Sequence, residues 1–128
     1  MGKTGTTGIQ RVQNACIYSL RGIRLAWQLE AAFRQECLFA LVMLPVAFWL
    51  GDNVIEYALL TGCLFIVLIA ELLNSAIEAI VDRVSTDHHP LSGQAKDMGS
   101  AAVFFALALT VFVWGLLAWD KFGVRFSL

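Results

Sequence analysis

Glu71, Asn74, Glu78 and Asp82 follow one another at intervals of 3, 4 and 4 residues. On a helix those intervals put all four on one face. They directly continue the run Tyr57 to Ala70, which carries no charge. An ionisable side chain at membrane depth is costly, so it faces a partner or a cavity and marks a functional site by default. Carboxylates with few other ligands suit Mg²⁺, which keeps waters and binds substrate phosphates. A carboxylate partly withdrawn from water can also serve as a general base.

Other polar residues gather at the same depth. Glu30 and Arg34 end a first helical segment, and their i,i+4 spacing also allows a simple ion pair. Lys96, Asp97 and Ser100 open the last apolar segment. Lys96 follows Ser92, a candidate helix cap, and an amine near a helix start suits phosphate oxygens. Asp82 and Arg83 also read as a solvated helix end.

The elements that must position these residues are helical. Ile9, Val12, Cys16, Leu20, Ile23, Trp27 and Ala31 form one apolar stripe, with Arg11, Gln13, Asn14, Arg21, Arg24 and Gln28 on the other face. This pattern predicts an amphipathic helix over 9–35 lying in the membrane interface. A first span is expected over about 31–50. Its uncharged part, Cys37 to Leu50, is only 14 residues long, so Arg34 and Glu36 must snorkel or face other helices. Gly51-Asp52-Asn53 makes a turn. A second span covers about 54–81. The third covers 98–119, long enough at ~33 Å for a full crossing. Residues 1–8 read as a flexible start; Met1-Gly2-Lys3-Thr4-Gly5-Thr6 matches a short, weak myristoylation pattern and lacks a signal-peptide core. The chain reads as a single domain without internal repeats.

Composition agrees. The chain has 128 residues, 59% of them hydrophobic, with mean hydropathy +0.71. Soluble domains are about 45–50% apolar, and one this small could not bury the excess. A net charge of −1 and the lack of a basic run argue against nucleic acid as a partner. Cys16, Cys37 and Cys63 fit neither a disulfide framework nor a CxxC metal site, and read as free, packed thiols.

Basic residues set the expected orientation. The N-terminal region to Glu36 holds five, Lys3, Arg11, Arg21, Arg24 and Arg34, whereas the 51–56 loop holds only Asp52 and Glu56 as charged residues. The N-terminus, the 82–97 loop and the carboxylates are therefore expected on the cytoplasmic side, where ATP is. Lys121 and Arg125 run against this assignment. No soluble-kinase signature is present: there is no GxxxxGK[ST] loop, no HRD and no DFG.

Three blocks carry a resemblance. AWQLEAAFRQE (26–36), ELLNSAIEAIVDR (71–83) and LSGQAKDMGSAAV (91–103) closely resemble, in order and spacing, the small bacterial integral-membrane diacylglycerol kinases, and the likeness extends over roughly residues 8–123. It implies an all-α membrane protein with an N-terminal interfacial helix and three transmembrane helices, assembled as a homotrimeric bundle with sites shared between subunits. It implies transfer of the γ-phosphate of Mg-ATP to the primary hydroxyl of diacylglycerol, giving phosphatidic acid at a bacterial inner membrane. By the same resemblance Glu71 matches the catalytic base, and Glu30 and Glu78 match the Mg²⁺-holding carboxylates. Arg11, Tyr18, Glu30, Glu78, Asp87, His88, His89, Lys96 and Asp97 match nucleotide-side positions. Arg11, Arg24, Ala32, Arg34, Glu71, Asn74 and Ser100 match the lipid side.

One stretch departs from the pattern. Relatives read close to Glu-Tyr-His-Glu-Leu-Ser where this chain has Asp87-His88-His89-Pro90-Leu91-Ser92. His89 keeps the family histidine, but His88 replaces the aromatic residue and Pro90 the acid, so the adenine contacts of this loop rest on changed residues. Two histidines alone make an incomplete metal site. A kinase for another lipid alcohol, notably undecaprenol, and a non-enzymatic membrane assembly factor remain as alternatives.

Overall fold

The computed structural model describes residues 7–126, and side chains up to residue 123. The expected flexible start, with Lys3 and the myristoylation pattern, falls mostly outside the described residues, as does the Arg125 side chain. Four helices follow in order: α1 (Gly8–Leu29), α2 (Ala31–Leu50), α3 (Val54–Val84) and α4 (Pro90–Phe126). There is no strand among the described residues. The last three are long and apolar enough to cross a membrane. Large side chains such as Leu41, Val42, Phe104, Phe105 and Val111 point outward. An apolar exterior of this extent suits a lipid solvent or other helices, not water.

The expected helix over 9–35 is divided. Glu30 adopts φ −111° and ψ 109°, an extended conformation that ends α1 and starts α2. Arg34 closes the break: its Nη1 donates to the carbonyls of Trp27 at 2.8 Å and Gln28 at 3.2 Å. These carbonyls lie in the last turn of α1, where acceptors lack intrahelical partners and a cation is favoured. The Glu30–Arg34 ion pair that the i,i+4 spacing allows is not formed; the guanidinium binds the helix end instead. Starting α2 at Ala31 gives it 20 residues, or ~30 Å, which completes the short uncharged segment.

A capping box opens α3. Asn53 Oδ1 accepts from the Glu56 N–H at 3.1 Å, and the Glu56 carboxylate accepts from Asn53 Nδ2 at 2.9 Å and from the Asp52 N–H at 2.8 Å. Lys121 at the far end of α4 donates to the carbonyls of Trp49 (2.9 Å) and Leu50 (3.0 Å) and to Asp52 Oδ1 (3.2 Å). Its charge is thus matched by the C-terminus of α2. Ala47, Leu50 and Leu60 form the core beside it, with Trp114, Leu117, Ala118 and Phe122 packed on top.

Helix α4 begins at Pro90, a proline at the first helical position. His89 Nδ1 accepts from the Leu91 N–H at 3.1 Å and caps the helix. Ser92, expected to be the cap, lies inside the first turn. The register of α4 against α3 is fixed by Trp114 Nε1 donating to the Leu60 carbonyl (3.2 Å) at one end and Lys96 pairing with Asp82 (2.7 Å) at the other. The helices run antiparallel, and their contact is the most extensive in the molecule. The polar face of α3 therefore lies along the first turns of α4.

Candidate functional site

Glu71 is 5% exposed, on a helix that is otherwise apolar at this depth. Asn74, one turn on, is also buried, and its Nδ2 donates to Glu78 Oε1 at 3.3 Å. Asn74 Oδ1 lies against the backbone of Gly99 on α4 and accepts no hydrogen bond. A buried acceptor without a donor is costly. Here it stands between two carboxylates and faces the start of α4, so a donor from a bound molecule would complete it.

Glycine is required at 99. A Cβ there would collide with Asn74 Oδ1. Gly99→Ala is expected to push the amide away from Glu78 and lower turnover about 10-fold or more, since a small misplacement of a positioning group is costly in rate. Fold retention is read by circular dichroism alongside turnover; unchanged turnover would show that the close approach of α3 and α4 is not needed.

Other carboxylates lie near enough to Glu71 for charge to act between them: Glu78 and Glu30 on Glu71, and Glu71 on Glu36 of α2. Glu30 sits in the break between α1 and α2, at the end of a cavity of about 590 Å³ between α1 and α3. That cavity is lined by Ile23, Ala26, Leu29, Leu72 and Ala79, with Ser19 and Ser75. It has the apolar walls that an acyl chain or a second helix would need.

Glu36, which must snorkel or face other helices, does the latter in part. It is half-buried, and its Oε2 is enclosed without a partner. It borders a second cavity of about 280 Å³, with Phe39, Leu64, Val67, Leu107 and Thr110. A signal was present: Phe33, Ala40 and Ala47 repeat every 7 residues and are all buried, and Glu36 lies three residues after Phe33, on that same face.

A second cluster lies beyond the last turn of α3. Asp82, Asp87, His88, His89, Lys96 and Asp97 line one polar cavity of about 290 Å³. The nucleotide-side candidates of the 87–97 segment are thus brought together. The hydrogen bond that Lys96 donates to the Asp82 carboxylate raises its amine above the ordinary value, so it remains a cation in neutral solution. A compact ammonium in a polar, water-accessible cavity is suited to phosphate oxygens.

The remaining candidates are not gathered in one chain. Arg11, Tyr18 and Arg24 are exposed along α1, with the Arg21 guanidinium 5.8 Å from the Tyr18 ring centre. Arg11 lies ~29 Å along a continuous helix from Glu30. Ala32 and Ser100 are exposed, and Arg34 is engaged with α1.

Among the described residues, no three His, Cys, Asp or Glu side chains converge to hold a metal ion by themselves. The donors near Glu71 are hard carboxylate oxygens. Such a set fits Mg²⁺ arriving on a nucleotide, where one or two carboxylates, phosphates and waters complete the shell.

Residues 17–118 match the family model described as prokaryotic diacylglycerol kinase. The diacylglycerol kinase of Escherichia coli K12 is 49% identical over 118 residues, covering 92% of this chain and 97% of that protein. That of Pseudomonas aeruginosa is 52% identical over 113 residues, covering 88% and 92%. That of Helicobacter pylori J99 is 40% identical over 108 residues, covering 84% of each.

Proposed function

This chain belongs to the prokaryotic diacylglycerol kinase family, and we propose how its residues carry out the family's reaction, ATP-dependent phosphorylation of diacylglycerol to phosphatidic acid. It is a multi-pass bacterial membrane enzyme. Diacylglycerol and ATP are its substrates. The observation that carries the residue-level reading is the ladder of buried Glu71 and Asn74 and half-buried Glu78 on α3, continued at the next turn by the Asp82–Lys96 cavity.

Glu71 takes the proton from the primary hydroxyl of the lipid. The hydroxyl oxygen attacks the γ-phosphorus in line, the bond to the β–γ bridging oxygen breaks, and ADP departs. Most of the work is positioning and electrostatics, as in phosphoryl transfer generally. Lys96 offsets charge on the phosphate oxygens. Glu78 and Glu30 hold the nucleotide through its Mg²⁺, which supplies Lewis-acid neutralisation of the phosphates when bound. Asn74 fixes the Glu78 carboxylate, and its free Oδ1 accepts from the substrate. Arg34 acts as a positioning residue, since its guanidinium holds the break that presents Glu30. Asp87, His88, His89 and Asp97 surround the nucleotide, and Arg24, Ala32 and Ser100 face the lipid.

The active protein is a homotrimer with shared sites. Its support is physical: Arg11 is carried ~29 Å along α1 from Glu30 of its own chain, and a neighbour's α1 removes that conflict. The open apolar sides of α2, α3 and α4 supply the surfaces for association. The protein sits in the inner membrane with the N-terminus and active site in the cytoplasm. Arg11, Arg21, Arg24 and Arg34 all lie on that side, and the contrary charge of Lys121 is absorbed by the C-terminus of α2.

The test of the carboxylate assignment replaces Mg²⁺ by Mn²⁺ and reads electron–nuclear couplings from ¹³C-carboxylate-labelled glutamate, with a non-hydrolysable ATP analogue bound. The expected result is a ¹³C coupling that weakens in Glu30→Gln and in Glu78→Gln. A coupling unchanged in both variants would move the nucleotide's metal elsewhere.

A further inference from the structure

Among the described residues, Lys96 is the only lysine or arginine lining the polar cavity between α3 and α4, and it is not free there. Its Nζ lies 2.7 Å from Asp82 Oδ1. Asp87 and Asp97 line the same cavity, so carboxylates outnumber the ammonium there. The Asp82 and Lys96 side chains are 66% and 41% exposed. An ion pair so open to water is weak enough to exchange partners.

A phosphate that binds Lys96 must displace the Asp82 carboxylate. Helix α3 keeps that carboxylate close by after the exchange, because Asp82 is anchored in its last turn and its short side chain limits how far the charge can swing. The incoming polyphosphate therefore meets like charge within a few ångströms. A divalent cation on the nucleotide cancels most of that repulsion, and a free nucleotide has nothing to cancel it. The penalty falls unequally on the two forms.

We propose that Asp82 is a specificity residue of the nucleotide site, occupying Lys96 in the resting protein and biasing the site toward cation-complexed over free ATP. The inference rests on the placement of the nucleotide phosphates at Lys96. It gives a purpose to a carboxylate that otherwise reads as a solvated helix end. It also explains why an acidic cavity is compatible with a phosphate ligand: the cavity is complementary to the complex, not to the bare anion.

The test is equilibrium dialysis of the purified full-length chain in detergent micelles with radiolabelled β,γ-methylene ATP. Binding is measured once in EDTA and once with excess Mg²⁺. Asp82→Asn is expected to lower the Kd of the metal-free nucleotide about five-fold, the effect of one unit charge at ~4 Å in a watery site. The Kd of the Mg²⁺ form is expected to fall less than about two-fold, and Asp82→Glu to keep the wild-type preference. Should Asp82→Asn fail to fold, Asp82→Ser makes the same charge change. Equal shifts for both forms, or no shift in EDTA, would overturn the proposal. So would Asp82→Glu behaving as Asp82→Asn does. Lys96→Met separates this failure from that of the underlying placement. If it weakens both forms while Asp82→Asn alters neither, only the role of Asp82 falls. If it alters neither form, the nucleotide phosphates are not at Lys96.

Discussion

Glu71→Gln is expected to lower kcat by about 10²–10⁴-fold, the range that a positioned general base contributes, with the helical fold and oligomer retained. The substitution keeps the size and hydrogen-bonding shape of the side chain and removes its ability to take a proton. Glu71 is buried on α3, with Asn74 and Glu78 on the following turns, so an amide fits the site without a new unpaired charge. A purely structural Glu71 would behave differently. Helix–helix hydrogen bonding would survive the change, and turnover would fall little. The KM for the lipid separates the two further. Loss of a base lowers kcat with KM held, whereas loss of lipid binding raises KM. Turnover within a few-fold of wild type would remove Glu71 from the chemistry.

Lys96→Met carries the second largest expected effect. Lys96 brings an ammonium to a cavity otherwise rich in carboxylates, and methionine keeps the length of the stem while deleting the charge. Removing one preorganised group that stabilises developing charge typically costs about 10²–10³ in kcat, and a similar loss is expected here. Lys96→Arg should recover part of it, because the charge returns while the planar guanidinium cannot occupy the same point. Stability should change little, since the Asp82–Lys96 pair is exposed and such pairs contribute about 0–1 kcal/mol. Steady-state kinetics with varied Mg-ATP read the effect. A loss that Lys96→Arg leaves wholly unrepaired would place the role in the shape of the lysine rather than its charge.

Much of the site was legible because helical spacing is a strong constraint. Intervals of 3 and 4 put Glu71, Asn74, Glu78 and Asp82 on one face, and that face lies along α4 in the structure. The 87–97 candidates also fall around one cavity. The break at Glu30 was not legible. No glycine or proline marks it, and the α1 stripe runs on to Ala31; the turn is a tertiary event held by Arg34 on two backbone carbonyls. The cap of α4 was misplaced at Ser92, although Pro90 pointed to a start at that residue. The partners of Lys121, whose charge runs against the expected orientation, were not legible either. Its donations to Trp49 and Leu50 are contacts over some 70 residues of chain, and no local pattern encodes them. Glu36 was legible in retrospect, through the 7-residue repeat that buries its face of α2.

The most direct test is phosphate transfer from γ-labelled ATP by the purified chain in mixed micelles, with diacylglycerol and undecaprenol offered separately, each with and without Mg²⁺. Label in phosphatidic acid, dependent on Mg²⁺ and much stronger than label in undecaprenyl phosphate, is the expected result. Preference for undecaprenol would keep the fold and the carboxylate site but move the substrate. No transfer to either lipid from folded protein would contradict the assignment of the Glu71 face to phosphoryl transfer.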